Sequence, residues 1–170
     1  MADFSFQSAV QGEAHVVLDL FTDEAFLEDY AERLHAVSYE VDVAQVDGRR
    51  EVRLVVEAAT KGAPSIATKF VGPSIPIRMA LDWTPTPLGA SGPLSIDARA
   101  KGELRFRAQA RVVGEGPVSL LEVEGPPPTV SVPLLGGALA GLVTQVLHGV
   151  LRAKVSLADE WLAAGYPRQA

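Results

Sequence analysis

At 170 residues and 18.0 kDa the chain is long enough for one hydrophobic core and short for two. A net charge of −6 and a pI near 5.0 argue against nucleic acid or an anionic membrane as the main partner. The absence of cysteine excludes disulfides and Cys-based zinc sites and fits a reducing cytoplasm.

No charged-then-apolar leader follows Met1, and the Pro/Gly clusters at 85–93 and 125–128 are short enough to be loops. The expectation is therefore a single cytoplasmic domain over residues 1–170.

Asp3 to Val10 alternates as a first strand, with Phe4, Phe6 and Ser8 on one side. Gly12 breaks it. Glu13 to Phe21 reads as a short helix with Val16, Val17, Leu20 and Phe21 inward. Thr22-Asp23-Glu24 supplies an N-cap and first-turn acids for a second helix over about 23–36. Its buried stripe is expected to be Phe26, Leu27, Tyr30, Leu34 and Val37.

The period then changes to two. Tyr39, Val41 and Val43 alternate with polar residues, and Asp47-Gly48 is a strong hairpin signal. Val52, Leu54, Val56 and Ala58 form the next inner face, ended by Gly62-Ala63-Pro64; residues 66–71 are ambiguous. Ile75, Ile77, Met79, Leu81 and Trp83 follow, with Pro76 marking an edge or a strand start. Further strands are read at Leu94–Ala100, Glu103–Val112 and about 118–124, the last continuing past the prolines toward Val132.

From Gly125 to Leu151 run 27 residues without Asp, Glu, Lys or Arg. Leu134 onward reads as one apolar helix, expected over about 134–163. It is not a membrane span. Leu135, Leu139, Leu142, Val146, Val150, Ala153, Leu157 and Trp161 recur at helical spacing, and Gly141, Thr144, Gln145, His148, Arg152, Ser156 and Asp159 fall opposite. Such a helix is roughly 40 Å long and needs another layer to cover it. Hairpin-length connections imply an antiparallel sheet, and one-sided alternation gives that sheet a dry face for the helix to cover. The fold class is α+β: about seven curved strands around a long C-terminal helix, with two short helices after strand one. The space between sheet and helix is either filled by side chains or open to a ligand.

Little in the chain points to catalysis. Nucleophilic chemistry needs Ser, Thr or Cys beside a base, and the three histidines, His15, His35 and His148, are scattered. No HxH or HExxH occurs, so no metal is expected, and no cofactor. His35 reads as a C-terminal helix cation or a solvated residue. His148 is a surface residue if its side faces solvent and the best polar ligand contact if it faces the cavity. Gly137 and Gly141 read as a close approach of helix backbone to sheet. Arg99, Lys101, Arg105, Arg107 and Arg111 form a basic stripe, read as a solvated face paired with Asp97, Glu103 and Glu51. No aromatics interleave there to stack bases.

The order of elements is that of the helix-grip fold shared by START domains, birch-pollen-allergen-like proteins and polyketide cyclases. Phe21-Thr-Asp23, Pro64-Ser-Ile with Lys69-Phe-Val-Gly72, Trp83-Thr-Pro85, Val132-Pro-Leu-Leu-Gly-Gly137 and Trp161-Leu162 cover nearly the whole chain. Through them it resembles the DUF2505 family of uncharacterised actinobacterial proteins, placed in that superfamily. The resemblance implies the fold and no established activity.

The leading expectation is a non-catalytic protein holding an apolar or amphipathic small molecule, lipid-like or polyketide-like, between sheet and long helix. Candidate ligand contacts are Tyr39, Met79, Leu81, Trp83, Phe106, Leu142, Val146 and His148. The alternatives are a cyclase- or hydratase-type enzyme using the same cavity, or an adaptor domain with a filled core.

Overall fold

The structure, a computed structural model, describes residues 3–61, 72–100, 102–131 and 136–167, with only the backbone of 136–138. Strand β1 (Phe4–Val10) leads into helices α1 (Ala14–Phe21) and α2 (Glu24–Arg33). There follow β2 (Ala36–Val46), β3 (Arg49–Ala59), β4 (Ser74–Thr86), β5 (Gly89–Arg99), β6 (Glu103–Val113), β7 (Ser119–Gly125) and the short β8 (Thr129–Ser131). Helix α3 (Gly136–Ala163) ends the fold.

The sheet is antiparallel with strand order β1-β7-β6-β5-β4-β3-β2, and β8 adds to β6 beyond the end of β7. Period-two alternation produces this sheet because successive side chains point to opposite faces. In β3, Val52, Leu54, Val56 and Ala58 are buried; in β5, Leu94, Ile96 and Ala98 are. Asp47 and Gly48 both take left-handed conformations (φ 51° and 79°), the pair a two-residue type I′ hairpin requires. Pro76 lies before β4 begins to pair with β5 at Ile77, so its missing N–H costs that ladder nothing.

Curvature comes from close backbone crossings that only glycine permits. A Cβ on Gly92 would lie 1.5 Å from the Asp82 carbonyl oxygen on β4, and one on Gly125 would lie 2.5 Å from the Arg107 carbonyl oxygen on β6.

Helices α1 and α2 span from one sheet edge to the other. Asp23 caps α2, its carboxylate accepting from the Ala25 N–H at 2.9 Å. The helix ends at Arg33, earlier than the periodicity suggests, because His35 takes a left-handed conformation (φ 62°) and its carbonyl accepts the Ala59 N–H of β3. Val37, expected in the helical stripe, is instead a β2 residue and 70% exposed. His35 lies just past the helix rather than in its last turn.

The core lies between the concave face of the sheet and the helices. α3 is held to α2 by an edge-to-face pair of Phe26 and Trp161 (5.7 Å), by the Trp161 indole N–H donating to Asp29 (2.9 Å) and by an ion pair of Arg33 with Glu160 (2.6 Å). The α3 face turned inward differs from the expected stripe. Leu147, Leu151, Val155 and Ala158 are buried beside the expected Leu139 and Leu157, whereas Val146 is 54% exposed. Gly141 is exposed and a Cβ there would meet nothing within 4 Å, so the expected backbone approach to the sheet does not occur at that residue. The expected turn at 62–64, the segment 66–71 and the expected helix start at 134–135 lie outside the described residues.

Candidate functional site

Two spaces open between sheet and α3. The larger is a groove of about 240 Å³, walled by Ile77 and Met79 of β4, Ile96 of β5, Leu104 of β6 and Leu142, Val143, Val146 and Leu147 of α3. Among the described residues only Thr60 and Glu103 bring polar side-chain ends to it. The Thr60 hydroxyl donates to the Gly72 carbonyl, and Glu103 is held by Arg105 at 2.9 Å and by Arg99 at 3.7 Å. The groove is therefore a hydrocarbon surface whose few polar groups are already partnered. Val146, exposed and lining it, marks where it meets solvent.

The smaller space is an inner cavity of about 40 Å³ under α2. Its walls include Leu27 and Tyr30 of α2, Leu54 of β3, Leu81 and Trp83 of β4, and Lys154 of α3. It shares Met79, Ile96 and Val150 with the groove, so those side chains stand between the two.

Three residues with polar groups line this inner space. The Tyr30 hydroxyl donates to the Val150 carbonyl at 2.9 Å, and burial holds its pKa above the usual tyrosine range. Trp83 is 1% exposed, and its indole N–H has no hydrogen-bond partner among the described residues. The Lys154 ammonium lies 4.9 Å from the centre of the Phe21 ring and 5.5 Å from that of Tyr30, a cation–π arrangement. It is half-buried, forms no hydrogen bond or ion pair with the described residues, and desolvation brings its pKa down to about 8.

The sequence profile of a family described as "Protein of unknown function (DUF2505)" matches residues 5–162. The chain belongs to the DUF2505 family. No curated protein matches this DUF2505 chain in sequence. Its fold is that of several solved structures. A protein of Thermus thermophilus is 17% identical, with 96% of this chain and 99% of that one covered and a TM-score of 0.57. The Zhui aromatase/cyclase from Streptomyces sp. R1128 is 16% identical, covers 96% and 98%, and has a TM-score of 0.51. Norcoclaurine synthase from Thalictrum flavum, in complex with dopamine and hydroxybenzaldehyde, is 7% identical, covers 98% and 89%, and has a TM-score of 0.55. These likenesses establish the helix-grip fold of the DUF2505 chain.

The eight expected contact residues divide into groups. Met79, Leu142 and Val146 line the groove; Met79, Leu81 and Trp83 line the inner cavity. Phe106 is buried edge-to-face on Phe4 at 4.8 Å and lines neither space. Tyr39 is half-buried, its hydroxyl 3.4 Å from Glu32 of α2, and also lines neither. Desolvation, then the Glu32 and Glu28 charges, raise its pKa. His148 is neither free on the surface nor in these spaces: its ring packs on Phe4 at 4.6 Å and Phe6 at 6.0 Å of the edge strand β1.

Sequence reasoning missed Lys154. Its signal was present: Lys154 follows Val150 by four residues and precedes Leu157 by three, a lone cation at the spacing of the apolar stripe. Among the described residues no cluster of three or more His, Asp or Glu side chains could hold a metal ion, and no helix is long and apolar enough to cross a membrane. The described arginines of the basic stripe are paired with acids, Arg99 and Arg105 with Glu103, Arg107 with Asp97 at 2.9 Å and Arg111 with Glu122 at 2.6 Å, while Glu51 pairs with Arg49 instead and Lys101 lies outside the described residues.

Proposed function

We propose that this protein binds an apolar or amphipathic small molecule, lipid-like or polyketide-like, between β4–β6 and α3, and does not act on it chemically. The observation carrying this reading is the 240 Å³ groove, whose described walls are aliphatic apart from two polar side chains already engaged elsewhere. Burial of apolar ligand surface supplies the affinity at roughly 25 cal/mol per Å² before association costs. A binding role needs no more than this surface. A hydrolytic or proton-transfer role needs an unengaged acid or base at the reacting atom, and the described groove walls offer none. The ligand pair seen in norcoclaurine synthase is consistent with a fold that encloses small organic molecules.

The test is native mass spectrometry of the purified protein followed by solvent extraction. An apolar or amphipathic mass that leaves on denaturation is expected. Val146→Asp should weaken binding of that molecule by about tenfold or more. Since Val146 is 54% exposed, its folding stability should stay within about 0.5 kcal/mol of the parent. A clean mass, together with no calorimetric binding of long-chain alcohols, would sink the proposal.

A further inference from the structure

The inner cavity is at odds with a purely apolar carrier. A cation and an indole N–H sit among hydrocarbon walls, and neither has a polar partner among the described residues. Ring faces stabilise an ammonium in part. Lys154 is half-buried, and its ammonium is left with ring faces and the remaining solvent in place of a charged partner among the described residues. The Trp83 N–H is fully buried, and a buried donor left unpaired is exceptional and calls for an explanation. An acceptor of negative charge would suit each of these two groups.

Size narrows the choice. About 40 Å³ admits a few water-sized groups. That suits a carboxylate and is too small for an aromatic ring. Met79, Ile96 and Val150 line both this space and the groove. Met79 is unbranched and flexible, and its rotamers are the route by which a chain end would pass between the two.

We infer that the small molecule held in the groove is a carboxylic acid, bound with its hydrocarbon chain against α3 and its carboxylate drawn past Met79 to the Lys154 ammonium, with the Trp83 N–H as a second donor. This rests on the groove being a binding site, and it adds charge selection and polarity of insertion: acid end inward, tail toward Val146.

Among the described residues lining the inner cavity, Tyr30 is the one other titratable group. Its hydroxyl is committed to the Val150 carbonyl and burial keeps it protonated through the alkaline range. The walls from β3 to β7 bring apolar side chains and Trp83, and the face from α1 is the Phe21 ring. The pH dependence of acid binding is therefore that of Lys154.

Calorimetric titration with decanoate and with decanol, equal in chain length and different in charge, tests the inference. Wild type should prefer decanoate by about tenfold or more. Lys154→Met, which keeps length and removes the charge, should bind decanol at least as well and lose that preference. In wild type the preference should fall as pH rises from about 8 to about 10, where the acid stays ionised and the lysine does not. A decanoate preference that persists in K154M would belong to surface arginines and overturn the inference, as would a wild type preferring decanol. Should K154M fail to fold by circular dichroism, the wild-type pH series decides alone, and a flat decanoate-to-decanol ratio overturns the inference. A wild type binding neither compound removes the groove reading itself. Decanol bound without discrimination leaves the groove reading standing and removes only the acid.

Discussion

Lys154 makes the folded state sensitive to alkali in an unusual direction. An unfolded lysine titrates near 10.4, and burial brings Lys154 down to about 8 in the folded chain. Below the folded value both states are charged, and the native state carries the cost of partly desolvating that charge. From about pH 8 to about pH 10.4 the unfolded chain binds more protons than the folded one, so stability rises with pH. The urea midpoint of wild type relative to K154M should therefore climb between about pH 7 and about pH 10. Taking the difference cancels the tyrosines, including Tyr166, which desolvation and the Asp23 and Asp19 charges push up to about 12. An unchanging difference across that window would show that the ammonium is solvated in the folded protein. Lys154 was hard to see in the sequence because a charge on an amphipathic helix is ordinarily assigned to the wet face. Ala153, its neighbour, filled the same angular slot. His148 misled for the opposite reason: it is polar and lies on the expected wet side, yet an edge strand reaches far enough to cover it with Phe4 and Phe6.

At the scale of elements, strands were the most legible because a period of two leaves little freedom once one face is buried. β3, β5 and β6 alternate as their sequences do, and the Asp47-Gly48 turn stands where its residue pair demands. Helix ends and helix rotation were less legible. The end of α2 is set by a backbone bond from β3 to the His35 carbonyl, a tertiary contact with no local signature. The inward face of α3 is set by what the concave sheet offers, which moved Leu147, Leu151 and Val155 into the core. Curvature itself was invisible in the hydrophobic pattern and rests on glycines at close crossings. Gly92→Ala makes this testable: its Cβ would meet the Asp82 carbonyl oxygen and carbonyl carbon at 1.5 and 2.7 Å, both backbone atoms. The substitution should cost roughly 3 kcal/mol or more, read as a lowered urea midpoint. A loss below about 1 kcal/mol would mean that β4 and β5 can separate there without penalty.

For the whole molecule, the antiparallel helix-grip architecture followed from element order, whereas the contents of the space between sheet and helix depended on side chains distant in sequence. The inner cavity draws on residues from Leu27 to Lys154, and no window of the chain contains it. The same dispersion bears on how the protein assembles in time. β1 lies at the sheet edge against β7, with Phe4 opposite Gly125 and Val10 opposite Ser119, whereas β2 to β6 each pair with the next strand in sequence. Hairpins close quickly; a pairing across most of the chain pays a larger loop entropy and closes late. In pulse-labelled hydrogen exchange during refolding, amides of β2 to β5 should gain protection before those of β1. Simultaneous protection would point to a nucleus that already spans both edges. On a ribosome the ordering is stricter: β1 is made first and waits without its partner until β7 has emerged, so its Phe4 and Phe6 face solvent or a chaperone throughout the synthesis of the rest of the sheet.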